Sequence, residues 1–577
     1  MDKLALTEYV TEYETTKYKA CPPAETVERL RAILRNNGIE TEETWIDSGI
    51  EEICSVRVTV KGTAIGQNGK GTNREYALAS GLAEFTERLQ TGYLFPEETC
   101  APFDRAWMEP RTLGEAGGAL LGETLRSIRQ ADGEDYDAAA LEAYLDPWRF
   151  DARDGRMAVI PFRERKTGRT RYLPESILRA YYFTNGSCAG NTREEAMIQG
   201  LSEIAERYAS LRIMSGRLTP PLIPDGAFAG IPLLKKAVDA IRGTGCELRV
   251  LDASLGMGLP VVAAVLNDRR HAKTILRFGS HPRFEVALER CLTEILQGRH
   301  IDRLETAPVF DFDRDGDSTG HLNVFNFMKA ALGQFPIQIY GKTPSWDYAP
   351  FAPAPETRGG QLRFLLDLYD RLDWNLYVRD CSFLGFPSFQ LLVPGVSMVF
   401  NFGKARQRES LQSFRSALIR PDRWSYENQR AARRLAVGKM GYLAESSFSF
   451  LAGLPVYPKL LGLELDAGLL AGLLSLSLLD RKRAALFLSP YCYGEGGEVT
   501  GVYPLVQMLK GRMSGDVISA MESICGERAA AEAKDVILNP EKYLPVLTCP
   551  DCEGCPSKPD CAAPQIRALC SRLIPVK

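Results

Sequence analysis

Three stretches of the chain repeat one pattern of acidic and polar side chains, and they align without gaps over residues 77–88, 196–207 and 287–298. Each stretch has Ala at its first position, Leu at its sixth, Glu at its eighth and Glu or Gln at its eleventh. Residues three and four apart share one face of a helix, so each stretch predicts a helix with a polar, acidic face. The side chains on these faces are Ser80, Glu84, Glu87, Gln199, Glu203, Glu206, Arg290, Glu294 and Gln297.

Five of these side chains are carboxylates that could meet at one place if the three helices pack together. Two like charges about 4 Å apart repel by about 4 kcal/mol at an effective dielectric near 20, so such a cluster needs cations. Mg²⁺ takes oxygen ligands and is commonly held between protein carboxylates and phosphate oxygens. The pattern therefore predicts a magnesium and phosphate site, with the remaining charge near Lys70, Arg88, Arg207 and Arg290.

A Glu-x-x-Glu-Arg stretch also has a simpler interpretation, which is the more common one for any single helix. Such a stretch usually forms a solvated face with salt bridges between successive turns. Three aligned copies, each preceded by small or polar residues, favour a shared site instead. The preceding segments are residues 68–72, 185–192 and 279–283, and we expect them to be loops that offer backbone N–H groups to an anion.

The first of these segments is not a P-loop, although Asn68-Gly69-Lys70-Gly71 looks similar to part of one. Ala64 stands where the first Gly of that motif belongs, and Gly71 replaces the Ser or Thr that would bind Mg²⁺. If ATP binds to this chain, a different scaffold must hold it.

Up to about residue 425 the hydrophobic pattern is that of a mixed α/β fold with internal pseudo-repeats, in which helices alternate with strands. Strand candidates include Cys54–Val60, Val261–Leu266 and Thr274–Phe278, and Gln361–Leu372 is a helix candidate. Beyond this region Ala/Leu-rich helical patterns dominate, and a short Cys-rich tail follows. We expect three domains: a core that carries the three stretches over 1–425, a helical region over 426–545 and the tail over 546–577.

Four cysteines of the tail have the spacing C-x2-C-x2-C-x5-C, namely Cys549, Cys552, Cys555 and Cys561. This spacing suits a compact four-thiolate site for Zn²⁺ or for a [4Fe–4S] cluster. The alternative is a reduced tail with redox-labile thiols. The spacing fits both kinds of metal site equally well.

The amino-acid composition excludes several classes of function. The formal net charge is −3, with 45% hydrophobic and 25% charged residues, which is ordinary for a soluble globular protein. This balance argues against general nucleic-acid binding, which needs a basic footprint. No export signal or membrane-spanning stretch stands out, so we expect a cytoplasmic protein with reduced thiols. Four His residues are too few for a His-rich metal centre.

The aligned stretches resemble the YcaO family. Three segments look like the nucleotide-site motifs of this family, and the sequences that flank them are also similar to the family. The motif segments are Ser80–Arg88, Gln199–Arg207 with Asn185-Gly186 before it, and Glu289–Gln297; the flanking segments include 252–256, 278–282 and 393–397. The resemblance covers roughly residues 17–400. It is strongest to the branch outside the peptide azoline clusters, which is linked to β-methylthiolation of a ribosomal protein.

The resemblance implies an ATP-binding fold in which glutamates hold Mg²⁺. The Mg²⁺ ligands would be Glu84, Glu87, Glu203, Glu206 and Glu294. Contacts to nucleotide, phosphate or ions would fall to Lys19, Thr26, Lys70, Ser80, Arg88, Asn185, Gln199, Arg207 and Arg290. The catalytic roles would fall to Arg207, Arg290 and Gln297.

By the same resemblance, the activity would be the activation of a backbone amide in a protein or peptide. A nucleophile adds to the carbonyl, ATP phosphorylates the oxygen, and the oxygen leaves as phosphate while ATP becomes ADP. An amide oxygen is otherwise a poor leaving group, and Mg²⁺ stabilises the charge of the transferring phosphoryl group.

Three functions stay open at this point. The first is an accessory factor that works with a radical methylthiotransferase in ribosomal protein β-methylthiolation. The second is a synthetase of peptide azolines or thioamides, although the chain ends in Leu573–Lys577 rather than in the proline-rich tail of azoline-forming members. The third is a non-catalytic scaffold that binds nucleotide and metal and escorts a partner. We expect no nucleic-acid or membrane partner, and a homodimer stays open.

Overall fold

The computed structural model describes residues 19–63, 65–94, 103–132, 156–303, 309–310, 335–399, 424–439, 448, 456–494, 497–546, 553–561 and 563–570. These residues fall into two compact units, the first made of the described residues up to 399 and the second of those from 424 onwards. The first unit is mixed α/β and the second is mostly helical, which confirms the predicted fold class. The predicted division into three domains stays a prediction.

The first unit alternates strands and helices along the chain. Its strands are β1 (Thr41–Ile46), β2 (Cys54–Val60), β3 (Gly66–Gly71), β4 (Ala106–Met108), β5 (Met157–Glu164), β6 (Thr170–Pro174), β7 (Ser187–Ala189), β8 (Glu247–Asp252), β9 (Val261–Asp268), β10 (Lys273–Ser280), β11 (Val309–Phe310), β12 (Phe335–Pro336), β13 (Tyr377–Asp380) and β14 (Ser388–Leu392). Its helices are α1 (Pro23–Asn36), α2 (Arg74–Thr91), α3 (Pro110–Asp132), the single turn α4 (Glu175–Ile177), α5 (Arg193–Gly216), α6 (Pro232–Gly243), α7 (Phe284–Ile295) and α8 (Arg358–Arg371).

Three antiparallel sheets supply the framework of this unit. Strands β1, β2 and β3 form one sheet in chain order, and β9 lies between β8 and β10 in a second. A six-stranded sheet has the order β4-β5-β13-β14-β7, with β6 also paired to β5. The side chains of β9 are buried on both faces, which explains why its sequence is a continuous apolar run rather than an alternating one.

Helix α5 is the central helix of the first unit. Its apolar side chains pack against β9 and β10, against β14 and against α8 in one hydrophobic core. A helix that is apolar around most of its circumference is buried, and α5 has 15 buried residues out of 24. A second core lies on the other face of the β8–β10 sheet, beneath α6 and α7.

The segments that precede the three aligned helices were predicted to be loops, but part of each belongs to a strand. Residues 68–71 belong to β3, residues 187–189 form β7, and residues 279–280 end β10. Their Gly and Ser residues hide a strand from sequence reading because such residues are depleted in strands. The expectation of loops is therefore wrong for these strand residues, whereas anion binding by the three segments stays a prediction.

The second unit is built from helices around one buried segment. Helix α10 (Ala467–Ser477) is buried along most of its length. The other helices are α9 (Tyr426–Lys439), α11 (Arg481–Leu488), α12 (Val502–Lys510), α13 (Gly515–Cys525), α14 (Glu527–Leu538) and α15 (Ala563–Cys570), with the short strands β15 (Lys459–Leu460) and β16 (Leu463–Glu464). In neither unit does a helix of the described residues have the length and apolar character needed to cross a membrane.

Candidate nucleotide and metal site

Each of the three aligned helices follows directly from a strand, so the chain contains three strand–helix modules: β3–α2, β7–α5 and β10–α7. Two of the helices begin with side-chain caps. Asn73 accepts a hydrogen bond from the Tyr76 backbone N–H, and Thr192 accepts one from Glu195 at 3.2 Å. Such caps fix where a helix begins, and therefore which side chains of its first turns face the site.

Small residues let each helix lie directly on its own strand. A Cβ on Gly69 would overlap the carbonyl oxygen of Ala77, and a Cβ on Gly279 would overlap that of Ala287. The equivalent position in β7 is Cys188, which has a side chain. In this module the small residue is Gly200 on the helix, where an added Cβ would lie 2.7 Å from the Cys188 sulfur. The repeat thus includes the strands and brings the three acidic faces together.

One half of the resulting cluster consists of Glu84, Glu87 and Arg88 of α2 with Glu203 of α5. Arg88 forms an ion pair with Glu87 and lies 3.3 Å from Glu84. Burial raises the pKa of Glu87 to about 8; Glu84 and Glu203 add to the rise and Arg88 opposes it. Burial disfavours the charged form of Arg88, yet the surrounding carboxylates raise its pKa above the usual range. Burial also raises the pKa of Glu203.

The other half joins Glu206 and Arg207 of α5 to Glu294 of α7 and Lys70 of β3. Lys70 forms an ion pair with Glu294, and the Nε atom of Arg207 lies 3.8 Å from the Glu203 carboxylate. Burial raises the pKa of Glu206 to about 8, and the charge of Glu294 adds to the rise. Burial also works against ionisation of Glu294, but nearby cations, Lys70 foremost, outweigh it and lower its pKa.

Arg277 of β10 belongs to this cluster and was missed by sequence reasoning. It is only 9% exposed, and its Nε atom has no hydrogen-bond partner among the described residues. Burial lowers its pKa to about 10, while Glu294 and Glu206 act in the opposite direction. Arg277 lies two residues before Gly279, so it is on the face of β10 that α7 covers. The available signal was a charged residue inside an apolar strand.

Other predicted phosphate-facing residues tie the modules to one another. Arg290 contacts the side-chain oxygen of Gln199 and donates a hydrogen bond to the carbonyl oxygen of Ser280 at 3.0 Å. Gln297 donates from Nε2 to the carbonyl oxygen of Asn68 at 3.0 Å. The modules β10–α7, β7–α5 and β3–α2 are thus linked through polar side chains at the edge of the carboxylate cluster.

Lys19 and Thr26, near the start of the described chain, contact the start of α5 rather than the cluster itself. The Lys19 ammonium lies 3.1 Å from the Glu195 carboxylate. The Thr26 hydroxyl donates to the side-chain oxygen of Asn191 at 3.1 Å. Their predicted nucleotide contacts stay a prediction.

Asn185 and Ser80 occupy different places. Asn185 is buried and donates a hydrogen bond to the carbonyl oxygen of Ser397 at 2.8 Å, which ties the turn before β7 to the end of another flanking motif. Ser80 is half-buried on α2, one turn before Glu84. Ser80 therefore lies on the acidic face, as predicted from helical spacing, whereas Asn185 makes a structural hydrogen bond. The predicted nucleotide contacts of both residues stay predictions.

The donor chemistry of the cluster fits Mg²⁺ bound together with phosphate. Within the ranges that the structure describes, no three Asp, Glu, His or Cys side chains could hold a metal ion by themselves. Mg²⁺ characteristically takes one or two carboxylates and completes its octahedron with water and phosphate oxygens. The buried carboxylates supply oxygen ligands, and the guanidinium groups beside them suit phosphate charge.

The predicted cysteine site falls partly outside the described residues, where Cys549 and Cys552 lie. Cys555 and Cys561 are described, and a metal-binding group that includes them is absent from the described part of the chain. Cys570, beyond the predicted four, is disulfide-bonded. The expectation of reduced thiols is therefore wrong for Cys570, and the Zn²⁺ or Fe–S site stays a prediction.

Three strand–helix modules that gather buried acidic and basic side chains define an α/β protein with an internally repeated site. A family model described as YcaO cyclodehydratase, ATP- and Mg²⁺-binding, matches residues 68–397, which is more than half of the chain and includes all three modules. The chain therefore belongs to the YcaO family, as the sequence resemblance indicates.

Two curated relatives match over similar lengths. The ribosomal protein S12 methylthiotransferase accessory factor YcaO of Escherichia coli is 30% identical over 390 residues, which are 65% of this chain and 65% of the relative. An uncharacterized protein of Haemophilus influenzae is 28% identical over 365 residues, 62% of each chain. The matched region thus spans slightly less than two thirds of either relative.

Two solved structures are also similar. A heterocyclase in complex with substrate and cofactor has 19% sequence identity and a TM-score of 0.48, covering 70% of this chain and 57% of its own. The YcaO protein of Methanopyrus kandleri, bound with AMPPCP and Mg²⁺, has 22% identity and a TM-score of 0.39, covering 67% and 93%.

Proposed function

We propose that this chain is an ATP- and Mg²⁺-dependent enzyme that activates a backbone amide of a protein or peptide by phosphorylating its oxygen. Its setting is ribosomal protein β-methylthiolation, where it acts as an accessory factor with a radical methylthiotransferase. ATP becomes ADP and phosphate in this reaction, and turnover needs the partner protein. The observation that carries the proposal is the convergence of five carboxylates with Arg and Lys side chains from three modules.

In this proposal the residues of the cluster have different roles, which follow from the chemistry of their side chains. The oxygen ligands for Mg²⁺ come from Glu84, Glu87, Glu203, Glu206 and Glu294. When bound, Mg²⁺ neutralises phosphate charge and stabilises phosphoryl transfer. Arg207 and Arg290 supply fixed positive charge that acts in the same direction. Gln297 holds the α7 end of the cluster against Asn68 and so keeps the donor groups in place before nucleotide arrives.

A second candidate is a peptide azoline or thioamide synthetase, which the cyclodehydratase description of the family model favours. The relative named as a methylthiotransferase accessory factor favours the first proposal instead. Both share the same nucleotide chemistry and differ in the amide that is activated. The third possibility, a scaffold without turnover, shares only the binding site.

The direct test is nucleotide binding by variants of the two central carboxylates. We expect Glu203→Gln and Glu294→Gln to weaken binding of AMP-PNP with Mg²⁺ at least tenfold, because each removes a charge that phosphate-bound Mg²⁺ would meet. Isothermal titration calorimetry measures the affinity, and circular dichroism checks the fold. Glu75→Gln is the matched control, because Glu75 is exposed on the first turn of α2.

Equal affinity in wild type and both variants would contradict the site assignment. Turnover is then measured as phosphate release with protein recovered by pull-down from native extract. Release over many turnovers supports an enzyme, whereas nucleotide binding without release supports the scaffold. Mass spectrometry of the recovered protein distinguishes a methylthiolated product from an azoline or thioamide.

A further inference from the structure

A second concave surface lies in the first unit, away from the carboxylate cluster. It is a cavity of about 440 Å³ at the end of the β8–β10 sheet where β10 begins. Its apolar wall is formed by Pro220, Leu222 and Pro344 with the ring of Tyr340. Leu222 is 55% exposed, which is unusual for a large apolar side chain with neighbours of the same kind. We call this surface the sheet-end cavity.

Two cations border the sheet-end cavity. The Arg249 guanidinium lies over the Tyr340 ring, 5.4 Å from its centroid, and Lys342, which also lines the cavity, is exposed. Neither cation forms an ion pair with any residue that the structure describes. The one carboxylate in the lining, Glu247, lies 2.7 Å from Arg269 and is neutralised by it. The cavity therefore has a net positive lining on an apolar wall.

The walls of the sheet-end cavity are fixed by hydrogen bonds. The Tyr340 hydroxyl donates to the side-chain oxygen of Asn267 at 2.7 Å. On the other side, Ile223 donates to the Val250 carbonyl oxygen at 2.9 Å, which holds the segment with Leu222 against the edge of β8. A surface whose walls are held in this way loses little conformational entropy when it binds a ligand.

The cavity and the carboxylate cluster both border β10. Thr274, whose hydroxyl is 3.1 Å from that of Tyr340, lies at the cavity, and Arg277, three residues further along the strand, belongs to the cluster. Three residues of strand span about 10 Å at roughly 3.3 Å per residue. The two sites are therefore close enough for different parts of one protein substrate to reach both.

We propose that the sheet-end cavity binds an acidic segment with interspersed apolar residues in the protein substrate. The occupant rests on the proposed function, since it is a part of that substrate. Its carboxylates meet Arg249 and Lys342, and its apolar side chains pack on Leu222 and Tyr340. Charge-assisted contacts to Arg and Lys are the stronger kind of hydrogen bond, so they supply the selectivity for acidic sequences.

The test is binding of a defined probe to the full chain, in the absence of nucleotide. The probe is a fluorescein-labelled peptide of sequence ELDPELDL, and its affinity is measured by anisotropy. We expect the double variant Arg249→Gln, Lys342→Gln to bind the probe at least tenfold more weakly, and Leu222→Ser to bind it several-fold more weakly. The matched control is Arg212→Gln, Arg363→Gln, which removes two exposed cations outside the cavity and should leave the affinity unchanged.

Several results would overturn the proposal. These are the absence of probe binding to wild type, equal affinity in wild type and the double variant, equal affinity for the peptide KLKPKLKL, and tighter binding of an eight-nucleotide oligouridine that the double variant loses. AMP-PNP binding is measured on the same proteins. A double variant that loses probe binding but binds AMP-PNP normally supports a cavity that is separate from the nucleotide site. Wild type that binds the probe but no AMP-PNP contradicts the proposed function.

Discussion

Two buried carboxyl groups make the site sensitive to pH before any ligand is bound. The pKa values of Glu87 and Glu206 are both raised to about 8, chiefly by burial. Between the unfolded value of 4.5 and about pH 8, the folded protein therefore holds protons that the unfolded chain has released. Stability falls with rising pH wherever the folded state binds more protons.

We expect the unfolding free energy of the protein, without Mg²⁺ and nucleotide, to fall between pH 5.5 and 7.5, by about 2.5 kcal/mol for each of the two carboxyl groups. Glu206→Gln should reduce this dependence, because the amide stays neutral throughout that range. Thermal unfolding followed at several pH values measures the change. Glu75→Gln provides the control slope, and an unaltered slope in Glu206→Gln would show that Glu206 is already ionised in the folded protein.

Some residues of the carboxylate cluster could be predicted from the sequence, and one could not. The acidic positions Glu84, Glu203 and Glu294 could be predicted, because a helix fixes which side chains share a face and three copies repeat the spacing. Arg277 could not, because its place opposite Glu294 depends on how β10 packs beneath α7. A local pattern carries no information on such a tertiary pairing.

At the scale of elements, the close crossing of strand and helix is what positions the acidic faces. In the β10–α7 module Gly279 leaves no room for a side chain against the backbone of α7. Adding one there must push α7 outward, and Glu294 and Arg290 move with it.

We expect Gly279→Ala to cost about 1–3 kcal/mol of stability, the range for an overpacked buried position, and to weaken nucleotide binding as well. Urea unfolding and calorimetry measure the two effects. Gly122→Ala in α3 is the control, since nothing lies within 4 Å of its added Cβ, and it should be neutral or slightly stabilising. Unchanged stability in Gly279→Ala would mean that α7 can shift without penalty.

The helices of the fold were more accessible to prediction than the strands that carry the modules. Strand β2 alternates apolar and polar residues and was predicted with the bounds that the structure shows. Strand β3, with the sequence Gly-Gln-Asn-Gly-Lys-Gly, has no such alternation, and β7 is only three residues long. Both are strands because neighbouring strands and helices hold them, which a single segment cannot reveal.

At the scale of the whole molecule, Mg²⁺ and nucleotide should stabilise the protein only in combination. Among the described residues, no group of three or more His, Cys, Asp or Glu side chains is arranged to hold a metal ion, and Mg²⁺ commonly completes its coordination with phosphate oxygens. With AMP-PNP and Mg²⁺ at about 100 times the dissociation constant, we expect about 2.7 kcal/mol of added stability. Thermal unfolding with Mg²⁺ alone, AMP-PNP alone and both together tests this. An equal gain from Mg²⁺ alone would indicate a metal site made of protein ligands only.

The contact between Lys70 and Glu294 has a consequence for biosynthesis, because 224 residues of chain separate its two partners. At about 5–20 residues per second, a ribosome needs roughly 11–45 s to make that interval. The β1–β3 sheet and α2 emerge early, with their carboxylates still facing solvent. A nascent chain shorter than about 300 residues therefore lacks part of the proposed nucleotide site, and the last module to leave the ribosome tunnel completes it.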